Sequence, residues 1–484
     1  MSPVSEQPSP LETIATRVPD QPALVGGDGT ISYRELFRRV RRTAACLADE
    51  DLKPRDVLAL RVYSNAESIT LLMACLELGV LACPINPQLP DRPLRDALER
   101  VGAKLLVSEL DEMPDLPVPV KRPAAVLPGP DAKRRAHVRF RPNRPGVLIF
   151  TSGSTGPPKA ALLTQGNLWE SALRSNRNIP LGPRKRWLLS LPLYHVSGLG
   201  ILFRCVAAGA CVVIPDREQP LHDAIAWYGG THASLVAAQL RWLLHSEPGQ
   251  GALKRLEAVL LGGSGIPAHL LEQAHKAGVP LHVSYGLTEM ASQVATTPPK
   301  APLEMLQRGA PLLEPGTVRI GEDGNIEVCG ATRFAGYWER GTLDTPFDDE
   351  GWFRTGDRGE LTDDGLLVVH GRADNMFISG GENIQPEEIE LAIMALEGVE
   401  RAAVVPVEDE TYGARPFAFV HMADASMPFP TNFAPRLAAH LASFQMPVAF
   451  HPWPHDLAGA ELKINRVAFQ KRAEELAADN ADFL

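Results

Sequence analysis

The chain has 484 residues, 45% of them hydrophobic and 22% charged, which is typical of a soluble globular protein with enough apolar material for its core. The length corresponds to about three compact units, or to one large domain and a smaller one. The formal net charge of −10 argues against a protein that binds nucleic acid or anionic lipid. The six cysteines show no zinc-type spacing, so we expect free thiols in a reducing cytosol.

The amino terminus lacks the features of an export signal, because its first basic residue is Arg17 and residues 1–10 are rich in Ser and Pro. The longest mostly apolar run, residues 69–85, contains Glu77 and Gly79 and is short for a membrane span. It predicts a buried helix that leads into a strand. We therefore expect a cytoplasmic protein without a membrane span.

Helix and strand patterns alternate over the first 145 residues. Ser32 and Glu35 have the spacing of a capping box at the start of a helix that ends near Ala48. Strands are predicted at 57–62 and, after a turn, within 101–108. Between 112 and 145, eight prolines and weak periodicity predict a surface connection. Its basic run fits a nucleic-acid patch or a solvated loop, and the scarcity of aromatic residues favours the loop.

The pattern changes at residue 146, where short apolar strands begin to alternate with helices up to about residue 340. This is typical of a mainly parallel sheet covered on both faces. Hairpin patterns follow at 318–328 and around Asp364. The parallel strands are predicted at 147–150, 187–190, 210–214, 258–261 and 281–284, and the last unit as helix 386–396, strands 402–407 and 417–421, and helix 433–443.

The predicted fold class is α/β with two domains. The first, residues 1–373, is a large N-terminal domain of α/β subdomains with mainly parallel sheets plus a small β subdomain. The second, residues 374–484, is a small mobile α+β C-terminal domain. No internal repeat is visible in the sequence.

A loop suited to phosphate follows the predicted strand 147–150. Residues 151–159 read Thr-Ser-Gly-Ser-Thr-Gly-Pro-Pro-Lys, so backbone N–H groups, hydroxyls and one cation can bind a polyphosphate together. It is not a Walker A loop, because two residues separate Gly153 and Gly156 where that motif has four. An ordinary turn has a similar composition, so the neighbouring motifs decide between the two interpretations.

Six further motifs follow in order. The first three come at carboxyl ends of predicted parallel strands, where open α/β sheets have their ligand crevice. The motifs are Leu-Pro-Leu-Tyr-His195-Val-Ser-Gly, Leu-Gly-Gly-Ser-Gly265, Ser-Tyr285-Gly-Leu-Thr-Glu289, Thr-Gly-Asp357, His-Gly-Arg372-Ala-Asp374 and Lys463-Ile-Asn-Arg466.

This ordered set resembles the adenylate-forming superfamily of acyl- and aryl-CoA synthetases, firefly luciferases and peptide-synthetase adenylation domains. The resemblance covers residues 12–475. It implies an enzyme that activates a carboxylic acid with ATP and Mg²⁺ and passes the acyl group to CoA as second substrate. The ATP- or AMP-binding residues implied by it are Thr151, Ser152, Gly153, Ser154, Thr155, Gly156, Lys159, Gly263, Ser264, Gly265, Tyr285, Gly286, Thr288, Asp357 and Arg372.

The same resemblance implies the catalytic roles. Glu289 would bind Mg²⁺, Thr288 would contact the α-phosphate, and Lys463 would stabilise the charge that develops there during adenylation. Leu462 departs from the pattern, because the family generally has Gly at that position. His195 resembles a gating histidine near the acyl site, although a buried structural histidine is an alternative interpretation.

Asp374 resembles the family's hinge, about which the C-terminal domain would rotate between two half-reactions. A short segment of three residues, further along the chain, resembles the one that contacts the pantetheine arm of CoA, where glycine allows close approach of the backbone. Many relatives have lysine at the first of these positions. The three are Ser379, Gly380 and Gly381.

The stretches 85–90, 189–198, 231–235, 239–240, 377–388 and 457–466 resemble one branch of the family, the o-succinylbenzoate–CoA ligases of menaquinone synthesis. The acid in that reaction keeps a second carboxylate, so its pocket needs a cation. Arg204 is a charged exception in an apolar segment and resembles the arginine of that pocket, with Ser234 as a polar partner. An Arg204 side chain that extends to the surface is the alternative. Another aryl- or short-acyl-CoA ligase, a stand-alone peptide-synthetase domain and an adenylate-binding regulator remain open, as does homo-oligomerisation.

Overall fold

The computed structural model describes residues 8–110, 116–129, 140–151, 158–263, 265–379, 382–409, 412–424, 429–438, 440–454, 456–457 and 464–479. Among them, no helix has the length and apolar character needed to cross a membrane. The predicted fold class is confirmed: mainly parallel sheets form a large N-terminal domain, and a small α+β unit follows.

Helices and strands alternate along most of the large domain. Residues 8–151 form α1 (Pro10–Arg17), β1 (Pro22–Gly26), β2 (Gly29–Ser32), α2 (Tyr33–Asp49), β3 (Val57–Arg61), α3 (Ala66–Leu78), β4 (Leu81–Pro84), α4 (Asp91–Val101), β5 (Ala103–Ser108), β6 (Val120–Lys121), α5 (Pro123–Val126) and β7 (Pro145–Thr151). Residues 158–311 form β8 (Lys159–Thr164), α6 (Gln165–Asn178), β9 (Arg186–Leu188), α7 (Val196–Ala208), β10 (Cys211–Val213), α8 (Leu221–Tyr228), β11 (His232–Leu235), α9 (Ala237–His245), α10 (Glu247–Leu253), β12 (Ala258–Gly262), α11 (Ala268–Lys276), β13 (Leu281–Leu287), β14 (Ser292–Thr296), α12 (Leu303–Arg308) and β15 (Ala310–Pro311).

The remaining elements belong to the β subdomain and the C-terminal unit. They are β16 (Val318–Ile320), β17 (Asn325–Val328), β18 (Gly336–Glu339), β19 (Thr342–Asp344), β20 (Phe353–Leu361), β21 (Leu366–Arg372), β22 (Phe377–Ser379), β23 (Glu382–Ile384), α13 (Pro386–Met394), β24 (Val399–Asp409), β25 (Gly413–Met422), α14 (Phe433–Leu437), β26 (Ala449–Pro452) and α15 (Arg466–Asp479), with 3₁₀ turns at Thr288–Met290, Ala373–Asn375 and Ser443–Gln445.

Three sheets build the large domain. One has the order β14-β13-β12-β11-β9-β10-β1-β2, the second β19-β18-β8-β7-β4-β3-β5-β6, and the third, of five strands, β15-β21-β20-β17-β16. Strands β9 to β13 pair in parallel, whereas the edge strand β14 runs antiparallel to β13. Among the described residues of the large domain, buried apolar side chains from the helices and sheets form one large cluster and two smaller ones.

Local signals fix the helix boundaries. Ser32 caps α2 as predicted, because its hydroxyl accepts from the Glu35 N–H, but Glu35 forms ion pairs with Arg38 and Arg39 instead of completing a capping box. The apolar run 69–85 forms buried α3 and β4 as predicted, and Gly79 ends the helix with φ +75°.

Some predicted boundaries were wrong. The strand predicted at 281–284 continues to Leu287, because its last residues pair with β14. The helix predicted at 433–443 ends at Leu437, and a 3₁₀ turn at Ser443–Gln445 follows. Strand β11 was not predicted, because its four residues include a His and a Ser, although all four are buried.

The C-terminal unit packs on the large domain through α9 and the glycine-rich loop after β12. The guanidinium of Arg241 donates to the carbonyls of Val399 (3.2 Å) and Glu400 (2.6 Å). Leu391 Cδ2 lies 3.3 Å from where a Cβ on Gly265 would stand. The predicted boundary at Asp374 falls in a 3₁₀ turn between β21 and β22.

Candidate active site

The carboxyl ends of β11, β12 and β13 lie side by side. Ser234 pairs with Leu260 across β11 and β12, and Gly262 pairs with Ser284 across β12 and β13. The chain turns sharply after β12 because Gly263 has φ +93°, a conformation that glycine adopts without strain. Gly263 and Tyr285, both expected to bind adenine, therefore lie at neighbouring strand ends, the edge at which open α/β sheets have their ligand crevice.

A Tyr–Asp–Arg cluster stands at one side of this crevice. Tyr285 Oη donates to Asp357 Oδ2 at 2.6 Å, and Arg372 Nη1 donates to Asp357 Oδ1 at 3.1 Å. Burial and the neighbouring Asp357 raise the pKa of Tyr285 well above its usual value, so the hydroxyl stays a neutral donor. Arg372 Nη2 also donates to Asp374 at 2.7 Å, which links the expected ribose site to the expected hinge.

A second polar cluster lies at the end of the β7–β8 hairpin. Thr151 and Lys159 are register partners at its tip. Lys159 Nζ lies 4.8 Å from the centre of the Tyr337 ring, and Tyr337 Oη donates to Glu289 Oε1 at 2.8 Å. The expected phosphate-binding lysine and the expected metal ligand are therefore joined by one aromatic side chain.

Glu289 is a suitable ligand for Mg²⁺. Its Oε1 accepts from Tyr337, and among the described residues no donor occupies the second carboxylate oxygen. Within the same residues no group of three or more His, Cys, Asp or Glu side chains could hold a metal ion alone. This donor set fits Mg²⁺, which proteins commonly bind through one or two carboxylates together with substrate phosphates.

Arg204 is buried, with 1% of its surface exposed, so it does not extend to the surface. Its Nη2 donates to Ser292 Oγ at 2.9 Å, and its guanidinium carbon lies 5.2 Å from the centre of the Trp187 ring. Nε and Nη1 have no hydrogen-bond partner in the described chain. Burial lowers the pKa of Arg204 to about 10, which still leaves it charged at neutral pH. A buried cation with two unpaired donors is costly unless an anion completes the site.

Ser234 lies within the same group, because its hydroxyl accepts from Trp187 Nε1 at 3.1 Å. Sequence reasoning missed Trp187, Ser292 and Gln293. Gln293 is buried, and neither atom of its amide has a hydrogen-bond partner among the described residues. The available signal was position, because Ser292 and Gln293 lie on the strand that directly follows the Glu289 motif.

The crevice and the Arg204 group meet along the β13–β14 hairpin. A Cβ on Gly286 would stand 2.2 Å from the Ser292 carbonyl oxygen, so only glycine allows these strands to approach so closely. Thr288 lies in the 3₁₀ turn between the two strands. The expected nucleotide residues and the buried cation are thereby held on adjacent segments.

The other predicted site residues are distributed over the two domains. His195 is the exposed residue before α7, which is incompatible with a buried structural histidine, and its ring lies 4.7 Å from that of Tyr194. Ser379 is buried in the β22–β23 hairpin of the C-terminal unit. The predicted residues that lie outside the described residues are Ser152, Gly153, Ser154, Thr155, Gly156, Ser264, Gly380, Gly381 and Lys463.

Side chains suited to bind a nucleotide at neighbouring strand ends, beside a buried cation, indicate a class of protein: an enzyme that makes ATP react with an anionic organic molecule. Family models agree with this class. The model of AMP-binding enzymes matches residues 11–338, and that of the AMP-binding enzyme C-terminal domain matches 388–454. The chain belongs to the family of AMP-binding enzymes.

Within this family, the chain is similar to ligases that act on one acid, 2-succinylbenzoate. Over 451 residues the chain is 39% identical to the 2-succinylbenzoate–CoA ligase of Salmonella typhimurium, covering 93% of this chain and 94% of the relative. The o-succinylbenzoate CoA synthetase of Bacillus subtilis in complex with the acyl-adenylate OSB-AMP is 29% identical, with TM-score 0.86 over 96% of this chain and 99% of that one. Its complex with ATP and a magnesium ion has TM-score 0.85 at 29% identity, over 96% and 99% of the two chains.

Proposed function

We propose that the protein activates 2-succinylbenzoate with ATP and transfers the acyl group to CoA, with 2-succinylbenzoyl-CoA, AMP and pyrophosphate as products, in menaquinone biosynthesis. The observation that carries this proposal is Arg204, a buried cation with two unpaired donors in a family whose similar members are 2-succinylbenzoate–CoA ligases. Of the two carboxylates of this acid, one reacts and the other stays charged. The charged one provides the anion that Arg204 lacks.

In the first half-reaction, a carboxylate oxygen of the acid attacks the α-phosphorus of ATP, and the bond to pyrophosphate breaks. The glycines after β12 and the Tyr285 ring hold the adenine, and Asp357, fixed by Tyr285 and Arg372, orients the ribose. Lys159 and the hydroxyls of the β7–β8 loop hold the phosphates. Mg²⁺, when bound by Glu289, offsets the charge that two anions bring together. Lys463 stabilises the charge that develops at the α-phosphate.

In the second half-reaction, the sulfur of CoA attacks the acyl carbonyl, and AMP leaves with its phosphate oxygen. We assign Asp374 as the hinge that exchanges the two arrangements of the C-terminal domain, and Ser379, Gly380 and Gly381 as the contact for the pantetheine arm. His195 stands at the exposed start of α7, the helix that carries Arg204, and we assign it to the entrance of the acyl pocket.

The experiment is a panel of carboxylates assayed for CoA-dependent AMP release, with 2-succinylbenzoate, benzoate, 2-acetylbenzoate, 4-oxo-4-phenylbutanoate and octanoate as members. The expected result is the highest kcat/KM for 2-succinylbenzoate. The critical competitors are 2-acetylbenzoate, which lacks the succinyl carboxylate, and 4-oxo-4-phenylbutanoate, which lacks the ring carboxylate. A kcat/KM for either competitor equal to that for 2-succinylbenzoate would contradict the role of the buried cation, whereas preference for benzoate or octanoate would point to another aryl- or acyl-CoA ligase.

A regulator that binds adenylates without catalysis is the alternative outside the enzyme class. Exchange of labelled pyrophosphate into ATP separates the two, because only an enzyme that forms the adenylate supports it. We also place the reaction in the cytoplasm, where ATP and CoA are available and free thiols stay reduced. The free cysteines of the structure are consistent with this location.

A further inference from the structure

Tyr337 on β18 contacts both the expected phosphate-binding cation and the expected metal ligand. Its hydroxyl donates to Glu289 Oε1 at 2.8 Å, and its ring centre lies 4.8 Å from Lys159 Nζ. Neither contact is explained by packing alone. A phenylalanine would fill the same volume, and a lysine at the tip of a hairpin has access to water.

The position of Tyr337 is fixed by its surroundings. Its partner across the β8–β18 pair is Ala161, so Lys159 lies diagonally opposite on the same face of the sheet. The ring packs edge-on against Phe334, with ring centres 4.9 Å apart. The Phe334 N–H donates to the Glu289 carbonyl at 2.7 Å, so the same short segment also holds the backbone of the carboxylate.

The hydrogen bond leaves the carboxylate prepared for a metal. The phenol occupies one oxygen of Glu289 and fixes the plane of the carboxylate, while the other oxygen accepts from no donor among the described residues. In metal sites, partners of this kind orient the ligand, and their loss commonly costs about 10- to 100-fold in metal affinity or activity.

We propose that Tyr337 is a positioning residue for the metal–ATP complex: its hydroxyl orients Glu289 toward Mg²⁺, and its ring supports the ammonium of Lys159 beside the phosphates. This inference rests on the proposed function, which assigns Glu289 to the metal and Lys159 to ATP. It extends that function, because it gives the hydroxyl of Tyr337 a role in metal binding and the ring of Tyr337 a role in phosphate binding.

The test measures binding by the whole enzyme without turnover. Mn²⁺ replaces Mg²⁺, a non-hydrolysable ATP analogue replaces ATP, and electron paramagnetic resonance counts free Mn²⁺. Y337F removes only the hydroxyl, and we expect Mn²⁺ affinity in the ternary complex to fall about 10-fold or more, with analogue affinity at saturating metal within about twofold of the wild type. Y337L also removes the ring, and we expect analogue affinity to fall by a further factor of about three or more.

Two control variants and two comparisons separate the possible failures. Tyr412→Phe removes the hydroxyl of another tyrosine whose ring also lies beside a cation, here Arg415, and it should change neither affinity. Glu289→Gln should weaken Mn²⁺ binding; if it does not, the metal assignment of the proposed function is wrong. If Glu289→Gln weakens Mn²⁺ binding while Y337F binds it as the wild type does, Tyr337 has no positioning role. Equal analogue affinities for Y337L and Y337F would refute the role of the ring.

Discussion

Arg204 is the residue whose removal tests the acid site directly, because it is a buried cation with two unpaired donors among the described residues. Loss of a cation that faces a carboxylate in a desolvated pocket costs about 2–5 kcal/mol. Arg204→Ala should therefore lower kcat/KM for 2-succinylbenzoate by at least about 30-fold, at about 1.4 kcal/mol per factor of ten. The KM for ATP should stay nearly constant, because the nucleotide ligands lie on other segments. Steady-state kinetics with each substrate varied in turn measures both values.

Arg204→Met is the matched variant, because it keeps most of the volume without the charge. A buried cation with unpaired donors is a cost to the free protein, so the melting temperature of this variant should equal or exceed that of the wild type. Its kcat/KM for the acid should still fall. A parallel loss of stability and of activity toward both substrates would instead identify Arg204 as a support of the fold.

The sequence predicted site residues that are charged or belong to a motif. It did not predict the residues that contact them from other strands. Arg204 was predicted because it interrupts an apolar segment. Trp187, Ser292 and Tyr337 were not, because their roles depend on the register of strands that are distant in sequence. Tyr337 lies 48 residues from Glu289 along the chain, and a Gly-Tyr-Trp strand has the composition of an ordinary core strand.

At the scale of elements, α3 carries a buried acid whose ionisation opposes folding. Glu77 is 8% exposed, and burial raises its pKa from 4.5 to about 7, partly offset by the hydrogen bond from Ser9. Glu12 adds to this rise, whereas Arg41 and Arg144 oppose it. Because the pKa is higher in the folded state, the folded state binds more protons between pH 4.5 and 7, so stability falls as pH rises through that window.

Glu77→Gln should remove this pH dependence. At pH 8 the variant should exceed the wild type in unfolding free energy by up to about 3 kcal/mol, and at pH 4.5 or below the two should converge. Chemical denaturation at both pH values measures the difference. Glu304→Gln, at an exposed position of α12, is the control and should show no such gain. A constant difference between Glu77→Gln and the wild type across this range would show that Glu77 does not titrate there.

The pattern of elements was predicted best where composition and burial agree. Buried α3 and β4 follow from one apolar run, and the hairpin at 318–328 follows from its turn, which pairs Val318 with Val328. Strand β11 was missed because its polar residues are satisfied by tertiary contacts, such as the hydrogen bond from Trp187 to Ser234. Local pattern does not encode such contacts.

At the scale of the whole molecule, the proposed mechanism requires two arrangements of the C-terminal domain, one for each half-reaction. The observed arrangement of this domain is held by the Arg241 bonds to Val399 and Glu400, and any rotation of the domain has to break them. Arg372 donates to Asp374 at 2.7 Å, so the proposed hinge begins directly beside the ribose site. Because Arg372 also donates to Asp357, a change at Asp374 has to be controlled by a measurement of ATP binding.

Lys463→Ala and Asp374→Pro should show opposite selectivity. In the proposed mechanism Lys463 is needed only where charge develops at the α-phosphate, so Lys463→Ala should abolish acid-dependent pyrophosphate exchange but still convert supplied acyl-adenylate and CoA to the thioester. Asp374→Pro fixes φ at the hinge, so it should retain exchange and lose thioester formation. Both half-reactions can be measured separately, with circular dichroism as the control for folding. Parallel loss of both half-reactions in two folded variants would contradict the two-arrangement mechanism, because a domain that need not rotate has no use for a hinge.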